Sequence, residues 1–510
     1  MLSIVNSFCL KGLQGIPVKV EIDINNGLPG YDIVGLVGTA IKESKERVRS
    51  AIKNSLFQYP IVKITVNLAP AHIKKEGPLY DLAIALGILS ASGQVGLENV
   101  KDYIILGELS LNGEVRKVNG VLPILISALE HGFKKIILPY DNKNEASFIA
   151  GLDIYPVKNL REAVSFLNGE TQIEKVQLNS FEELKNKKTY SYDFKYVKGQ
   201  AMAKRAMEIA AAGGHNLLMV GPPGSGKTML AKCFPSILPD LTFEEALEIT
   251  KIHSVAGVLD INDGIITNRP FRSPHHTTTT VALTGGGRDA KPGEISLAHN
   301  GVLFLDELPE YTRHTIETLR QPLEDGVITV SRVENSVEYP ANFTLIASMN
   351  PCPCGNFGSR DKECKCTPAN IQKYLSKLSG PLMDRIDMHL EVDSVKYLDL
   401  KSEILEEDSE TIKKRVDRAR KIQLNRYKNT NIYSNSKMTD NMVKKYCKLT
   451  ETGDLMLQTA FENLNLSARA YNRILKVART IADLEGCEDI LDEHIIEAIS
   501  YRSLDNKYWN

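Results

Sequence analysis

No stretch of these 510 residues approaches the ~18 consecutive apolar positions that would carry a helix across a membrane. Residues Met1 to Gly12 lack a basic leader followed by a long apolar core, so the expectation is a cytoplasmic protein rather than a secreted one. Neither sign of charge dominates. The formal net charge is −1, so no global field draws the chain to nucleic acid, and any DNA contact has to come from a local basic surface or a lined channel. Cysteine is sparse, eight in all, and Cys9, Cys233, Cys447 and Cys487 are scattered singly and read as reduced side chains. What is present is ordinary for globular protein, with 43% hydrophobic and 25% charged residues. The chain is too long for one core, so two to four domains are expected.

Gly221-Pro222-Pro223-Gly224-Ser225-Gly226-Lys227-Thr228 fits the phosphate-loop pattern G-x-x-x-x-G-K-[ST]. The apolar run Leu217 to Val220 precedes it as a buried strand would, and Met229, Leu230 and Ala231 continue as a helix. Strand, glycine loop and helix aim consecutive backbone N–H groups at a polyphosphate. These residues therefore form a candidate ATP site, with Lys227 neutralising the β/γ-phosphates and the Thr228 hydroxyl on Mg²⁺. A second motif, Gly301-Val302-Leu303-Phe304-Leu305-Asp306-Glu307, is an apolar strand ending in two carboxylates. Asp306 is placed to serve Mg²⁺, and Glu307 to polarise the attacking water. The plainer alternative is a buried strand meeting an acidic helix cap.

Cys352, Cys354, Cys364 and Cys366 form two Cys-x-Cys pairs separated by nine residues. Four clustered thiolates suit tetrahedral Zn²⁺. Four free thiols in a polar loop, or a redox-sensitive pair, are the alternatives.

The chain divides by pattern. Residues 1–168 read as one α/β unit. Val18, Val20 and Ile22 alternate with Lys19, Glu21 and Asp23, and Val62, Ile64 and Val66 alternate with Lys63, Thr65 and Asn67, as half-buried strands do. Ala40–Lys53 and Asp81–Ala91 have helical spacing. A helix through Leu125–Ala128 leads past Gly132 into a strand at Lys135–Leu138, and Asn159 caps a helix over Leu160–Leu167. Residues 169–190 are polar and lysine-rich, and are expected to be an interdomain linker. Residues 191–395 hold the nucleotide motifs, with a further strand at Phe343–Met349 and the cysteine loop 352–366. Residues 396–510 read as a helical lid, with helices expected at Asp440–Cys447, Asp454–Asn463, Ala468–Leu484 and Asp492–Tyr501.

These residues together resemble the magnesium-chelatase-like AAA+ ATPases, and within them the ComM/YifB family. The resemblance covers the whole chain. It rests also on Val197-Lys198-Gly199-Gln200, Gly213-Gly214-His215-Asn216, Phe271-Arg272-Ser273-Pro274-His275-His276, Asn350-Pro351-Cys352-Pro353-Cys354-Gly355 and Met383-Asp384-Arg385-Ile386-Asp387. It implies an α/β multidomain fold built on an AAA+ core. By resemblance, Asn350 is sensor 1, Arg385 is an arginine finger reaching a neighbouring subunit's ATP, and Arg469 is sensor 2. A finger acting in trans implies a ring, a homohexamer. Gly326–Pro340 reads as a β-hairpin with its tip at Val333-Glu334-Asn335. Related motors place such a hairpin in the ring channel, which makes Arg332 and Lys291 candidate DNA contacts. Thr277–Thr280 and Gly285-Gly286-Gly287-Arg288 resemble the clade's insert. His275 and His276 are expected to have a structural role in that loop, with metal ligation the alternative.

The N-terminal unit resembles the proteolytic domain of Lon through Glu76-Gly77-Pro78, Gly107 to Gly113 and Ile136-Ile137-Leu138-Pro139. Lon uses a Ser–Lys dyad, but here the position matching the serine, directly after Gly77-Pro78, is Leu79, and the position matching the lysine falls near Leu122. Leucine neither attacks a carbonyl nor moves a proton, so the unit is expected to be an inactive scaffold. The leading expectation is an ATP-driven motor on single-stranded or branched DNA, with ATP, Mg²⁺ and Zn²⁺ as cofactors. A chelatase-like or protein-remodelling ATPase is the alternative.

Overall fold

The computed structural model describes residues 1–185, 190–287, 290–331, 336–358, 362–395, 401, 406–430, 432–464 and 466–508. It is a mixed α/β protein built on two large sheets. The first has seven strands in the order Gly30–Val34, Lys63–Ala69, Gln14–Asn25, Leu2–Lys11, Tyr103–Ile105, Lys135–Pro139 and Asp153–Val157. Leu2–Lys11, Gln14–Asn25 and Lys63–Ala69 pair antiparallel, and the flanking pairs are parallel. Val18, Val20 and Ile22 point into the core while their polar neighbours face outward, as the alternation requires.

Helix Asp81–Ala91 is buried on every side, and its sequence is apolar all round. Gly87 allows this packing, since a Cβ there would meet Ile22 Cγ1 at 2.6 Å. The Asn159 side chain accepts from the Glu162 N–H and caps helix Leu160–Leu167. The stretch expected as one helix over Ala40–Lys53 is two, Thr39–Lys42 and Ser44–Asn54. Arg47 Nη2 donates to Ala40 O at 2.9 Å, occupying the carbonyl that the Ser44 N–H would otherwise use. Leu79 and Leu122, expected at and near the positions of Lon's serine and lysine, both lie in the hydrophobic core.

The second sheet has five parallel strands in the order Phe271–Arg272, Val302–Leu305, Thr344–Met349, Leu217–Val220 and Met388–Glu391. Both faces are covered, which is why its strands read as unbroken apolar runs. Leu217 and Met219 face a core shared with the C-terminal helices. Leu218 and Val220 face a core shared with the hairpin Val327–Ser331/Ser336–Pro340. The C-terminal part is helical, with Ser409–Arg426, Asp440–Tyr446, Glu451–Asn463, Ala468–Glu485, Asp492–Ser500 and Leu504–Tyr508.

The segment expected as a linker is docked. Val176 N–H donates to Ile154 O at 2.9 Å, and buried Phe181 packs edge-on against Phe243 with centroids 5.6 Å apart. The two α/β parts also meet directly. Fully buried Glu145 accepts from the Leu122 N–H at 2.9 Å and from the Ser254 hydroxyl of helix Phe243–Ala256, and burial raises its pKa against those hydrogen bonds. Lys117 Nζ donates to Leu259 O at 2.9 Å across the same junction.

Candidate nucleotide-binding site

The parallel register brings the ends of three strands together. Val220 pairs with Met349 and Leu305 with Ala347, so Gly221, Asp306 and Asn350 emerge side by side at the carboxyl edge. This edge of an open α/β sheet is where ligands bind. Gly226 takes φ +89°, a left-handed conformation, and from it the chain enters helix Lys227–Cys233.

Thr228 Oγ1 donates to Asp306 Oδ2 at 2.8 Å, which joins the phosphate loop to the acidic strand tip. Lys227 is buried, with Nζ 2.8 Å from both Gly221 O and Pro222 O and 3.4 Å from Asn350 Oδ1. Burial pushes its pKa down to about 8, while Asp306 and Glu307 pull the other way. Thr228 and Asp306 offer hard oxygen donors of the kind Mg²⁺ takes. Glu307 sits at φ +52° and is about half exposed, facing outward from the strand end. Its N–H lies 3.1 Å from Asp306 Oδ1 and 3.4 Å from Ser348 Oγ. The Ser348 hydroxyl in turn donates to Asp306 Oδ1, so one fully buried serine ties both carboxylate residues to the neighbouring strand. Sequence reasoning missed Ser348. Its signal was a lone hydroxyl inside the apolar run Thr344–Met349.

His276 also belongs here, and it was not expected to. Its Nδ1 lies 3.6 Å from Glu307 Oε2, and its ring lies against His275 with centroids 4.0 Å apart. Neither histidine belongs to a group of potential metal ligands among the described residues.

Arg385 and Arg469 lie elsewhere. Arg385 O accepts from Asn216 Nδ2 at 3.2 Å, at the amino end of strand Leu217–Val220. Five residues at ~3.3 Å each put Asn216 ~16 Å from Gly221, so the Arg385 carbonyl lies at the opposite end of this strand from the phosphate loop. The side chain of Arg385 is 10% exposed, ion-paired with Glu324, and donates to Pro381 O at 2.7 Å. It opens with Arg469, Arg473 and Lys476 onto a cleft of about 400 Å³. Arg473 Nη1 donates to Arg385 O at 3.0 Å and pairs with buried Asp387. Burial opposes the charge on Asp387, but Arg473 and His215 outweigh it and hold the carboxyl far below the usual range. Arg473 was missed, although it follows Arg469 by four residues on one helix and so shares its face.

The four clustered cysteines come together. Cys352 Sγ lies 3.4 Å from Cys354 Sγ and 3.7 Å from Cys364 Sγ, Cys354 to Cys364 is 3.6 Å, and all four sulfurs fall within 4.8 Å of one another. A tetrahedron of ~2.3 Å Zn–S bonds has S–S edges of about 3.8 Å, so the set fits zinc. Lys291 is exposed, on a short ladder where it pairs with Gly286. Arg332, the hairpin tip and Arg288 lie outside the described residues.

No helix among the described residues is long and apolar enough to cross a membrane. Comparison with known proteins agrees with the geometry. Residues 193–400 match the family described as magnesium chelatase, subunit ChlI, and residues 20–142 match subunit ChlI of Mg-chelatase. Residues 406–502 match the ChlI C-terminal family. The chain is 43% identical over 505 residues to the uncharacterized protein YifB of Escherichia coli (strain K12), covering 99% of this chain and 97% of that one. It is 42% identical over 507 residues to the competence protein ComM of Haemophilus influenzae, covering 99% and 98%. A shorter likeness, 33% over 124 residues, links 24% of this chain to 22% of Lon protease 2 of Bacillus subtilis. With the phosphate loop, the acidic strand tip and full-length identity in agreement, the chain belongs to the ComM/YifB family of magnesium-chelatase-like AAA+ proteins.

Proposed function

We propose that this protein is an ATP-hydrolysing ring motor acting on DNA, with helicase or branch-migration activity in recombination or natural transformation. The observation that carries the ATPase reading is the 2.8 Å contact between Thr228 and Asp306 beside buried Lys227. Thr228 and Asp306 would hold Mg²⁺, which would neutralise charge on the β/γ-phosphates. Lys227 leaves the loop carbonyls to meet the same phosphates. Asn350 orients the attacking water, and Glu307 accepts its proton.

Arg385 acts on a neighbour's ATP, and Arg469 serves as sensor 2. Arg385 sits at the amino end of the strand whose carboxyl end carries its own loop, with its side chain held by Glu324 and Pro381, and the cationic cleft there can close over the next subunit's site. That arrangement supports a homohexameric ring. The DNA part of the reading draws support from the likeness to a competence protein and from the hairpin Val327–Ser331/Ser336–Pro340. Residues 1–168 serve as a scaffold, since Leu79 and Leu122 supply no protease chemistry. Residues 396–510 serve as the helical lid.

The test is ATPase activity with and without single-stranded and branched DNA, together with a gel assay on a labelled Holliday junction. Stimulation by DNA and ATP-dependent junction resolution into its arms are expected. The three chelatase-subunit families matched favour a second reading, a chelatase-like or protein-remodelling ATPase. Wild-type ATPase activity with no DNA binding at low salt would replace the first reading with the second.

A further inference from the structure

The cysteine cluster and the nucleotide pocket are built from one piece of chain. Asn350, whose Oδ1 lies 3.4 Å from Lys227 Nζ, is two residues from Cys352. Cys352 is fully buried, and the Phe357 N–H donates to its Sγ at 3.3 Å. Between them Gly355 donates its N–H to Cys352 O at 2.9 Å and sits at φ +79°. A Cβ at Gly355 would fall 2.4 Å from Pro223 Cδ and 2.8 Å from Pro223 Cγ. Pro223 is the third residue of the phosphate loop. The cysteine turn therefore touches that loop directly and flanks the residue beside its lysine.

Residues 352–366 contain neither helix nor strand among those described. Phe357 packs edge-on against Tyr508 with centroids 6.3 Å apart and lies against the core shared with the hairpin, which anchors the far side of the turn. A bound metal would cross-link both Cys-x-Cys pairs and fix the turn, because metal binding to such a site is also local folding energy.

We propose that a Zn²⁺ held by Cys352, Cys354, Cys364 and Cys366 clamps the turn that buttresses Pro223 and aims Asn350, so that metal occupancy sets the affinity for ATP. This rests on the zinc and nucleotide readings above. A buttressed loop keeps its amide groups aimed at the phosphates before ligand arrives. An unclamped one must be ordered on binding, and that cost weakens binding.

The experiment uses the full chain, purified under reducing, chelator-free conditions. Zinc per chain is measured by mass spectrometry, and affinity by titration with a ribose-labelled fluorescent ATP. Near one zinc per chain is expected. Chelator-stripped protein should bind the nucleotide about fivefold or more weakly, at the lower end of site-to-site couplings, and added Zn²⁺ should restore it. Gly355→Ala keeps all four thiolates but places a methyl against Pro223. It should retain zinc and still lose affinity by a similar factor. Cys364→Ser with Cys366→Ser should lose both zinc and affinity.

If stripped protein binds as tightly as zinc-loaded protein, the clamp is wrong while the metal site stands. Unchanged affinity in a zinc-retaining Gly355→Ala protein also overturns it. Wild-type protein that neither contains nor takes up zinc removes the metal and the clamp together. Failure of the nucleotide reading looks different, as no binding in any state.

Discussion

His276 Nδ1 stands 3.6 Å from Glu307 Oε2, and the Glu307 backbone N–H donates to Asp306 Oδ1 at 3.1 Å. The imidazole is itself held, since it lies against His275 and edge-on to Tyr311, whose hydroxyl donates to Pro274 O at 2.6 Å. Glu307 leaves the strand at φ +52° with its side chain about half exposed. An anchored ring beside a half-exposed carboxylate restricts where that carboxylate points. His276→Ala should therefore lower kcat about tenfold while leaving the KM for ATP within about a factor of two, as expected when a positioning contact to a general base is lost. His276→Asn, which keeps a side-chain donor, should recover part of the loss. Steady-state ATPase assays decide this, and an unchanged kcat in His276→Ala would falsify the positioning role.

Glu307 and Lys227 should fail in different ways. Glu307→Gln leaves Asp306 and Thr228 in place, so nucleotide should still bind while turnover falls about 100-fold or more. Lys227→Ala removes the cation at the phosphates and should abolish binding itself. Equilibrium binding and turnover measured on both variants separate the two. Wild-type turnover in Glu307→Gln would reassign the base.

Arg385 is stored in the single chain. It pairs with Glu324 and lies at the opposite end of the sheet from its own phosphate loop. Arg385→Ala should bind ATP and hydrolyse it poorly. Mixed with Lys227→Ala subunits, it should regain part of the wild-type rate, because some interfaces then join an intact loop to an intact finger. A mixing series that shows co-assembly by light scattering and no recovery points to action within one chain.

The local motifs were legible because each is a run of neighbouring residues. The phosphate loop, the strand into Asp306-Glu307 and the cap at Asn159 need only short-range pattern, and helix Asp81–Ala91 was read to its ends. Helix Ser409–Arg426 was not singled out. Its buried positions, Ser409, Ile412, Val416, Ala419 and Gln423, are few and polar at both ends, and lysines and arginines crowd the rest. The docked strap at Phe181 was hidden for a similar reason, one aromatic in a polar stretch. The clustering of Arg385, Arg469, Arg473 and Lys476 depends on where helix Ala468–Glu485 packs, which no local spacing encodes. The contact from Gly355 to Pro223 spans more than a hundred residues and is visible only once the sheet order is known.

Asp81 gives the N-terminal part a pH dependence of known sign. Its carboxyl is buried and accepts from Arg47 Nε at 2.7 Å. Burial pushes its pKa up to about 6, with the Arg47 hydrogen bond and charge pulling it back. The folded value lies above the ~3.9 of an unfolded aspartate, so the group's contribution is fully present below about pH 4 and is lost as pH rises through about 6. The stability of wild type relative to Asp81→Asn should fall by about 1–3 kcal/mol between pH 4 and pH 7. Hydrogen exchange of the amides in helix Asp81–Ala91 reads this locally in the full chain. A difference that does not vary with pH would show that Asp81 ionises like a surface carboxylate.

The hairpin is the element on which DNA contact should be sought. Val327–Ser331 and Ser336–Pro340 pair in register, and buried Ile328, Val330 and Tyr339 fasten the stem to the ATPase core. The Tyr339 hydroxyl donates to Ala290 O at 2.9 Å, next to Lys291 on the neighbouring ladder. A stem seated this firmly can pass motion of the core to its tip. Arg332 stands beside that tip in the sequence, and the residue itself lies outside those the structure describes. With a net charge of −1 the whole protein offers no attraction to phosphate, so each local cation counts. Loss of one phosphate contact should lower the slope of log affinity against log salt by about 0.9 on duplex arms and about 0.7 on single strands. Arg332→Ala should thus weaken binding similarly across unrelated sequences and flatten the salt dependence by about that amount. Fluorescence anisotropy on two unrelated single strands and one four-way junction, each over a range of salt, measures both. A slope identical to wild type would take Arg332 off the DNA path and leave Lys291 as the next residue to test.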